Sequence, residues 1–476
     1  MKFKNLSSVL LLFLICTAAA QEINLDSLMV TLEDASGKDR IQILNEIGRA
    51  YWGVSTEKVF EFSQLALDLS RELGEREGEA QSLNNIGVAY YYLGDYEKSL
   101  EFFLNSLKIR EELGNKKEIV ASLNNIGIIY DDLNKFDQAL SYYLKSLEIY
   151  EQLDDKIGIA VSLHNIGVVY ENLSNYNKAL EFLLRSLIIY DEIGDKSGSA
   201  SSLDNIGIVY KNLSNYDKAI EYHLESLKIS KEIDDKNGVA RSLDNIGIIY
   251  DNLGDYEKAI DYYLQSLEIE EEIGDRAGVA GSYNNIGIIY DDQMNYDKAL
   301  EFYFNSLEIY TSINDKNGIA NAFNNIGVVY ENQRKYDKSL KYHLQAMAIF
   351  EDIGQKKGFA ASLNNIGSVY LKMKNYEKAL QFLQNSLEIA IEIEIRDLII
   401  EIYQKLSELY TIQNNYRQAL HYFKLYSSVK DSVFTKEKIE KIAGLQTTYE
   451  VEQLIKEQES EIELLQKDNE IYKLKV

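Results

Sequence analysis

The sequence predicts an all-α solenoid, a stack of helix-turn-helix units, on three observations. The triplet Asn-Ile-Gly recurs every forty residues, at Asn85, Asn125, Asn165, Asn205, Asn245, Asn285, Asn325 and Asn365, and self-similarity at a period of about 20 to 50 marks a stacked array. Within each period the apolar residues fall at helical spacing. The 476 residues also include no proline, although average usage of about 5% would supply roughly two dozen. Such a chain is built for long helices. The formal charge of −26 argues against nucleic acid as a partner, because Lys and Arg neutralising phosphates supply most of that affinity. With 46% apolar residues, large-scale disorder is not expected.

Taken in chain order, Lys2 and Lys4, the apolar run from Val9 to Ile15 and the small residues Ala18-Ala19-Ala20 read as an export signal over 1–20, cleaved after Ala20. The expectation is an exported protein, periplasmic or secreted. Cys16 raises the question of a lipid anchor, but bulky Ile15 precedes it and argues against one. The mature chain would then hold no cysteine, which removes disulfides, thiolate metal sites and cysteine nucleophiles together. Residues 21–40 read as an N-terminal cap segment, 41–430 as an array of about ten units, and 431–476 as a tail.

One unit illustrates the rest. Ala160, Leu163, Ile166, Gly167 and Tyr170 form one stripe of a first helix. A break follows at Leu173-Ser174-Asn175, where Asn175 suits an N-cap because its side chain accepts from an orphan backbone N–H. The second helix carries Tyr176, Ala179, Leu180, Leu183, Leu187 and Ile189 and ends near Gly194, a residue type suited to a left-handed C-terminal position. Gly167 recurs in mid-helix, where glycine costs about 1 kcal/mol relative to alanine. The small residues Ala139, Ala179 and Ala219 of the second helices are expected to face these glycines, so that backbones approach closely.

Leu163, Ile166, Gly167 and Tyr170, followed by Ala179, Leu183 and Ser186, resemble the tetratricopeptide repeat, and the match spans about 390 residues. Two departures stand out. The family's helix-ending proline is missing throughout, and the unit has 40 residues rather than 34, closing on turns such as Gly194-Asp195-Lys196. This longer form is similar to the repeats of kinesin light chains and of the Leu-Gly-Asn-rich mosaic proteins, which are peptide-binding adaptors. The resemblance implies a right-handed superhelix whose first helices line a concave groove. The layout of signal, array and charged coil also resembles the extracytoplasmic region of bacterial sensor proteins. That likeness implies the alternative function, a sensory module with a membrane signalling partner.

With Leu163 and Tyr170 facing the core, helical geometry puts positions 161, 164, 165, 168, 171 and 172 on the other side, which the resemblance makes the groove. It would carry the asparagine ladder from Asn85 to Asn365. An amide both donates and accepts, so each Asn can pair with the backbone of an extended peptide, or equally with a neighbouring helix of its own array. Asp131, Asp132, Glu171, Asp251, Asp291, Asp292 and Glu331 lie just beyond, which favours a basic or amphipathic partner unless they are only a solvated face. Trp52, Tyr91 and Tyr92 occupy slots that later units fill with acids and amides. They are either anchors for an apolar side chain of a partner or a surface that residues 22–40 cover.

Little else carries chemistry. His223 and His343 align with Phe103, Tyr143 and Leu183 and read as packing residues, His421 sits on an exposed face, and only His164 is expected in the groove, with Asp204 one repeat on. Phosphate loops, paired metal-ligand histidines and nucleophile elbows are missing from the sequence, so no enzyme activity, cofactor or metal is expected. In the tail, Val451, Ile455, Gln458, Ile462, Leu465, Asn469, Tyr472 and Val476 alternate in steps of four and three. That is a coiled-coil seam, either joining a homodimer through residues 445–476 or lying as a single amphipathic helix on the last repeats. The expected function is an exported scaffold that binds peptides or proteins.

Overall fold

The computed structural model describes residues 25–431; the export signal and the seam of the tail lie outside them. Every element among the described residues is a helix. Leu25–Asp34 comes first, then the pair Gly37–Ala50 and Thr56–Leu73, and from Arg76 onward the pairs repeat every forty residues, as in Lys156–Asn172 with Tyr176–Ile193. The last pair is Arg396–Ile412 with a helix over 416–431. Two compact units divide the chain, one ending at Ser202 and the other beginning at Leu203.

Local chemistry sets the helix ends. Ser174 takes φ 58° in the turn within the unit, and Asn175 Oδ1 accepts from Lys178 N at 3.4 Å, capping the second helix as its residue type predicts. Between units, Gly194 has φ 74°. Asp195 Oδ1 then accepts from Gly198 N at 3.0 Å, so the Gly-Asp-Lys turn ends one unit and caps the next. Asp155, Asp235, Asp275 and Asp315 cap in the same way. Asp154, at φ 53°, takes the left-handed slot without glycine.

The same few contacts recur along the array. Ser186 Oγ donates to Ala160 O at 2.7 Å, and the bond recurs from Ser106, Ser266, Ser306 and Ser386. Tyr170 stacks on Phe182 with ring centroids 5.6 Å apart while Lys178 Nζ lies 4.9 Å from the tyrosine ring. The arrangement returns in the later units, at Tyr250 with Tyr262 and Lys258 and at Tyr370 with Phe382 and Lys378.

The mid-helix glycines meet a different neighbour from the one expected. A Cβ on Gly167 would stand 2.7 Å from Leu183 Cγ, and one on Gly287 would stand 2.8 Å from the Tyr303 ring. The facing residue is therefore the large side chain sixteen positions on. The small residue twelve positions on touches the same backbone from beside it, as Ser99 shows by donating to Gly87 O at 2.8 Å. Gly167→Leu is expected to cost about 1–3 kcal/mol by overpacking, read as faster amide exchange over residues 156–193. Exchange equal to that of the parent would refute the contact as the reason for glycine.

At the N-terminal end, Leu25, Leu28 and Leu32 pack against Leu44, Ile47, Phe62 and Ala66. The opening helix thus covers the first pair, while Trp52 belongs to another cluster, with Val88, Tyr91 and Tyr92.

Candidate peptide-binding face

The exposed side of the first helices separates into two columns that the sequence had merged. The column of Asn84, Asn124, His164 and Asp204 is buried. It lies between neighbouring first helices, where His164, Asp204 and Asn324 reach the serine of the next repeat. His164 Nδ1 is 3.2 Å from Ser202 Oγ, and Asn324 Nδ2 donates to Ser362 Oγ at 2.9 Å. His164 is therefore a packing residue and does not enter a groove, which corrects the sequence expectation. The reason is geometric: adjacent first helices pack closely enough to cover His164, whereas further along the column Asp244, Asn284 and Asn324 are half-buried.

The Asn ladder, one residue further on, is used unevenly. In the first unit Asn85 is fully buried, donating to Asn45 O at 3.0 Å. Asn125 Nδ2 donates to Asn84 Oδ1 at 3.1 Å, and Asn165 is buried with its Nδ2 unbonded. In the second unit all four of Asn245, Asn285, Asn325 and Asn365 are half-buried, as is Asn205. Asn325 Nδ2 donates to Asn284 Oδ1 at 2.7 Å. Asn245, Asn285 and Asn365 make no side-chain hydrogen bond among the described residues.

Carboxylates follow these amides six residues on along the same helices, at Asp131, Asp251 and Asp291. Asp131 Oδ1 accepts from Asn172 Nδ2 at 3.2 Å, and Asp291 Oδ1 from Asn332 Nδ2 at 3.4 Å. Burial, with the charge of Asp292, pushes the Asp251 carboxyl above its ordinary range. Asp291 is also pushed up, by burial first and with a contribution from Asp292, against the Asn332 hydrogen bond. Two half-buried carboxylates thus sit beside the exposed charge of Asp292. Glu331 is instead paired, with Lys372 Nζ at 2.9 Å and Ser368 Oγ donating at 2.8 Å.

The aromatic end is packed. Tyr91 is buried, meeting Tyr92 edge-on at 5.9 Å and Tyr96 at 5.8 Å. Trp52 is partly buried, and its indole N–H has no partner. Nearby, a cavity of about 360 Å³ opens beside Lys38, Asn45, Arg49, Gln81 and Arg110. Arg110 there is buried and occupied, donating to Gln81, Ser122 and Glu118.

Two buried charge clusters in the second unit were not foreseen. Asp204 Oδ1 accepts from His223 Nδ1 at 3.0 Å and from Ser242 Oγ at 3.0 Å, and its Oδ2 accepts from Arg241 Nε at 2.8 Å. Burial pushes this carboxyl up, but Arg241 and His223 together hold it below its ordinary value. The second cluster pairs Asp244 with Glu270 around Ser282 Oγ, which is 3.4 Å from Asp244 Oδ1 and 2.9 Å from Glu270 Oε2. Burial, and for Asp244 the Glu270 charge, raises both carboxyls. The signals in the sequence were the replacement of Asn by His164, Asp204 and Asp244 in three successive units, and Glu270 as the one acid in a column that holds Tyr150, Tyr190, Tyr310 and Phe350 but also Ser70, Arg110, Ser230 and Ala390.

His343 Nδ1 lies 3.0 Å from Asn324 Oδ1, and burial together with Lys405 holds its pKa at about 3. The ring stays neutral. Among the described residues no group of three His, Cys, Asp or Glu gathers as metal ligands, and no helix is long and apolar enough to cross a membrane.

Paired helices repeating every forty residues, with glycine under a large side chain and serine tied to a backbone carbonyl, define a helical-repeat scaffold. The chain belongs to the tetratricopeptide-repeat family, whose model matches residues 39–112, 78–152, 118–192, 158–232, 198–272, 278–352 and 358–430. No curated protein matches it in sequence. Among solved structures, the apo quorum sensor NprR from B. thuringiensis is 15% identical, covering 71% of this chain and 99% of its own, with a TM-score of 0.52. A Rap protein complexed with Competence and Sporulation Factor is 16% identical, covering 78% and 99%, with a TM-score of 0.51. A signal-transduction ATPase with a tetratricopeptide repeat sensor from Pyrococcus horikoshii is 18% identical over 77% of this chain and 55% of its own, with a TM-score of 0.53. At these identities the likeness is one of fold.

Proposed function

We propose that the chain is a peptide receptor whose binding face lies on the first helices of the second unit. The observation that carries this reading is the set of unbonded, half-exposed amides of Asn245, Asn285 and Asn365 beside the carboxylates of Asp251, Asp291 and Asp292. Neighbouring first helices sit about 10 Å apart, close to three residues of an extended strand at about 3.3 Å each. Successive amides thus match an extended backbone in register. A basic side chain over Asp291 and Asp292 would relieve charges that now repel one another. The Rap protein crystallised with a factor, and the sensors among the similar folds, support peptide sensing as the setting. Export through residues 1–20 and a membrane signalling partner belong to the same proposal.

The test uses dye-labelled nine-residue peptide pools carrying a central Arg or a central Glu. The Arg pool is expected to bind and the Glu pool not to. Replacing Asn245, Asn285 and Asn365 by Ala should weaken binding at least tenfold, since each lost hydrogen bond is worth about 0.5–1.5 kcal/mol, with melting unchanged. Binding should also fade on acidification, because Asp251 and Asp291 take up protons above the usual carboxylate range. Equal retention of the two pools, or full affinity in the triple variant, would reject the reading.

A further inference from the structure

The end of the array carries an apolar face that every internal unit covers. Phe423 occupies the column of Phe103, Tyr143, Leu183, Tyr263, Tyr303 and Leu383. Those six are buried, whereas Phe423 is 55% exposed. The cause is plain at Leu383, which shares a cluster with Leu398, Ile402 and Leu406 of the following first helix. No such helix follows 416–431 among the described residues. Tyr416 and Leu420, on the same side of the helix as Phe423, are exposed with it, so the uncovered surface is a continuous stripe. Its charge is also unlike that of the rest of the chain. Arg417, His421, Lys424 and Lys430 are exposed on the same helix with Asp431 as its single acid, and Arg417 and Lys424 have no ion pair among the described residues.

The chain runs on from Ser432 to Val476, and residues 450–470 have the complementary character: eight carboxylates against Lys456 and Lys467, with Val451, Ile455, Ile462 and Leu465 at four-three spacing. We propose that residues 450–470 of the same chain dock on this face, their apolar seam against Leu420 and Phe423 and their carboxylates toward Arg417 and Lys424. The reach is sufficient. Helix 416–431 is about 24 Å long at 1.5 Å per residue, and the residues from 432 to 449 can extend to about 60 Å. An uncovered terminal repeat is otherwise a liability for solubility, and burying the stripe removes a contiguous apolar patch from water. The idea stands independently of the peptide reading, because it uses neither the Asn column nor its acids.

The test places a photoreactive benzoylphenylalanine at position 420 of the full-length chain and maps the crosslinks by mass spectrometry in a mixture of ¹⁵N-labelled and unlabelled protein. Crosslinks to 450–470 within one isotopic species are expected. Mixed-isotope crosslinks alone would put a second copy on the face, and crosslinks that miss 450–470 would leave it to another partner; either result overturns the proposal. A full-length variant carrying Glu457→Lys, Glu459→Lys, Glu461→Lys and Glu463→Lys should show amide exchange roughly tenfold faster over 416–431, with residues 236–392 unchanged. Unchanged exchange over 416–431 would also overturn it.

Discussion

Asp204→Ala is expected to destabilise the second unit by about 3–5 kcal/mol, the range for removing one partner of a buried ion pair. The carboxylate is almost fully buried and holds three groups at once, His223 Nδ1, Ser242 Oγ and Arg241 Nε. Alanine leaves the partly exposed Arg241 guanidinium without its anion, and strands the Nδ1 side of a buried imidazole whose Nε2 already lacks a partner. Asp204→Asn separates the charge from the hydrogen bonds. Asparagine fills the same slot at Asn324, where its Oδ1 meets His343 Nδ1 at 3.0 Å, so this variant should keep the histidine contact and lose only the Arg241 charge pair. Its cost should fall well below that of alanine. The pH dependence has a definite sign. The folded carboxyl is held below its ordinary value, so its contribution is present above the ordinary carboxylate range and is lost as pH falls through the lowered value. The acid limb of the stability curve should therefore be shallower in the alanine variant. Repeat arrays can unfold in parts, so the measurement is amide exchange over residues 203–252 together with urea unfolding. Equal exchange in parent and Asp204→Ala would show that the triad stabilises nothing.

The repeat, its helix ends and its all-α character were legible because each rests on local chemistry: a forty-residue period, an Asn or Asp cap, a helical apolar stripe. The side-chain column of His164 and Asp204 was not. Successive helical residues are separated by about 100°, so Asp204 and Asn205 look like neighbours on one face. Only the distance to the adjacent first helix decides that one is buried and the other reaches the rim. Asparagine adds a second ambiguity, since an amide serves a neighbouring helix at Asn125 as well as it would serve a ligand. The neighbour of Gly167 was misjudged for a similar reason. Residues twelve and sixteen positions on both reach the glycine, one at its carbonyl and one over its missing side chain, as Ser99 and Leu183 show, and spacing alone ranks neither. The asymmetry between the units had a visible source that periodicity hides: it lies in the departures from the repeat, at His164, Asp204, Asp244 and Glu270.

Glu270→Tyr is expected to stabilise the second unit at pH 8 by about 1–4 kcal/mol, the range for replacing buried charge by a packed side chain. Glu270 is buried and shares Ser282 Oγ with the half-buried Asp244. A single hydroxyl proton serves one carboxylate at a time. Room for the ring already exists, because Gly278 stands where Gly158, Gly198 and Gly318 admit Tyr150, Tyr190 and Tyr310. The sign follows from protonation. Both carboxyls are raised in the folded state, so the fold binds a proton that the unfolded chain has released. Its stability is greatest below the ordinary carboxylate range and declines as pH rises through the raised values. The gain from Glu270→Tyr should accordingly shrink toward zero near pH 4 and grow toward pH 8. Asp244→Asn, which restores the amide of Asn284 and Asn324, should reproduce the flattening with a smaller gain, because the Glu270 carboxylate remains buried. Urea midpoints from pH 4 to 8 decide the matter. A benefit independent of pH would assign it to packing alone, and a loss at pH 8 would mean that the pair holds a cation whose removal the variant exposes.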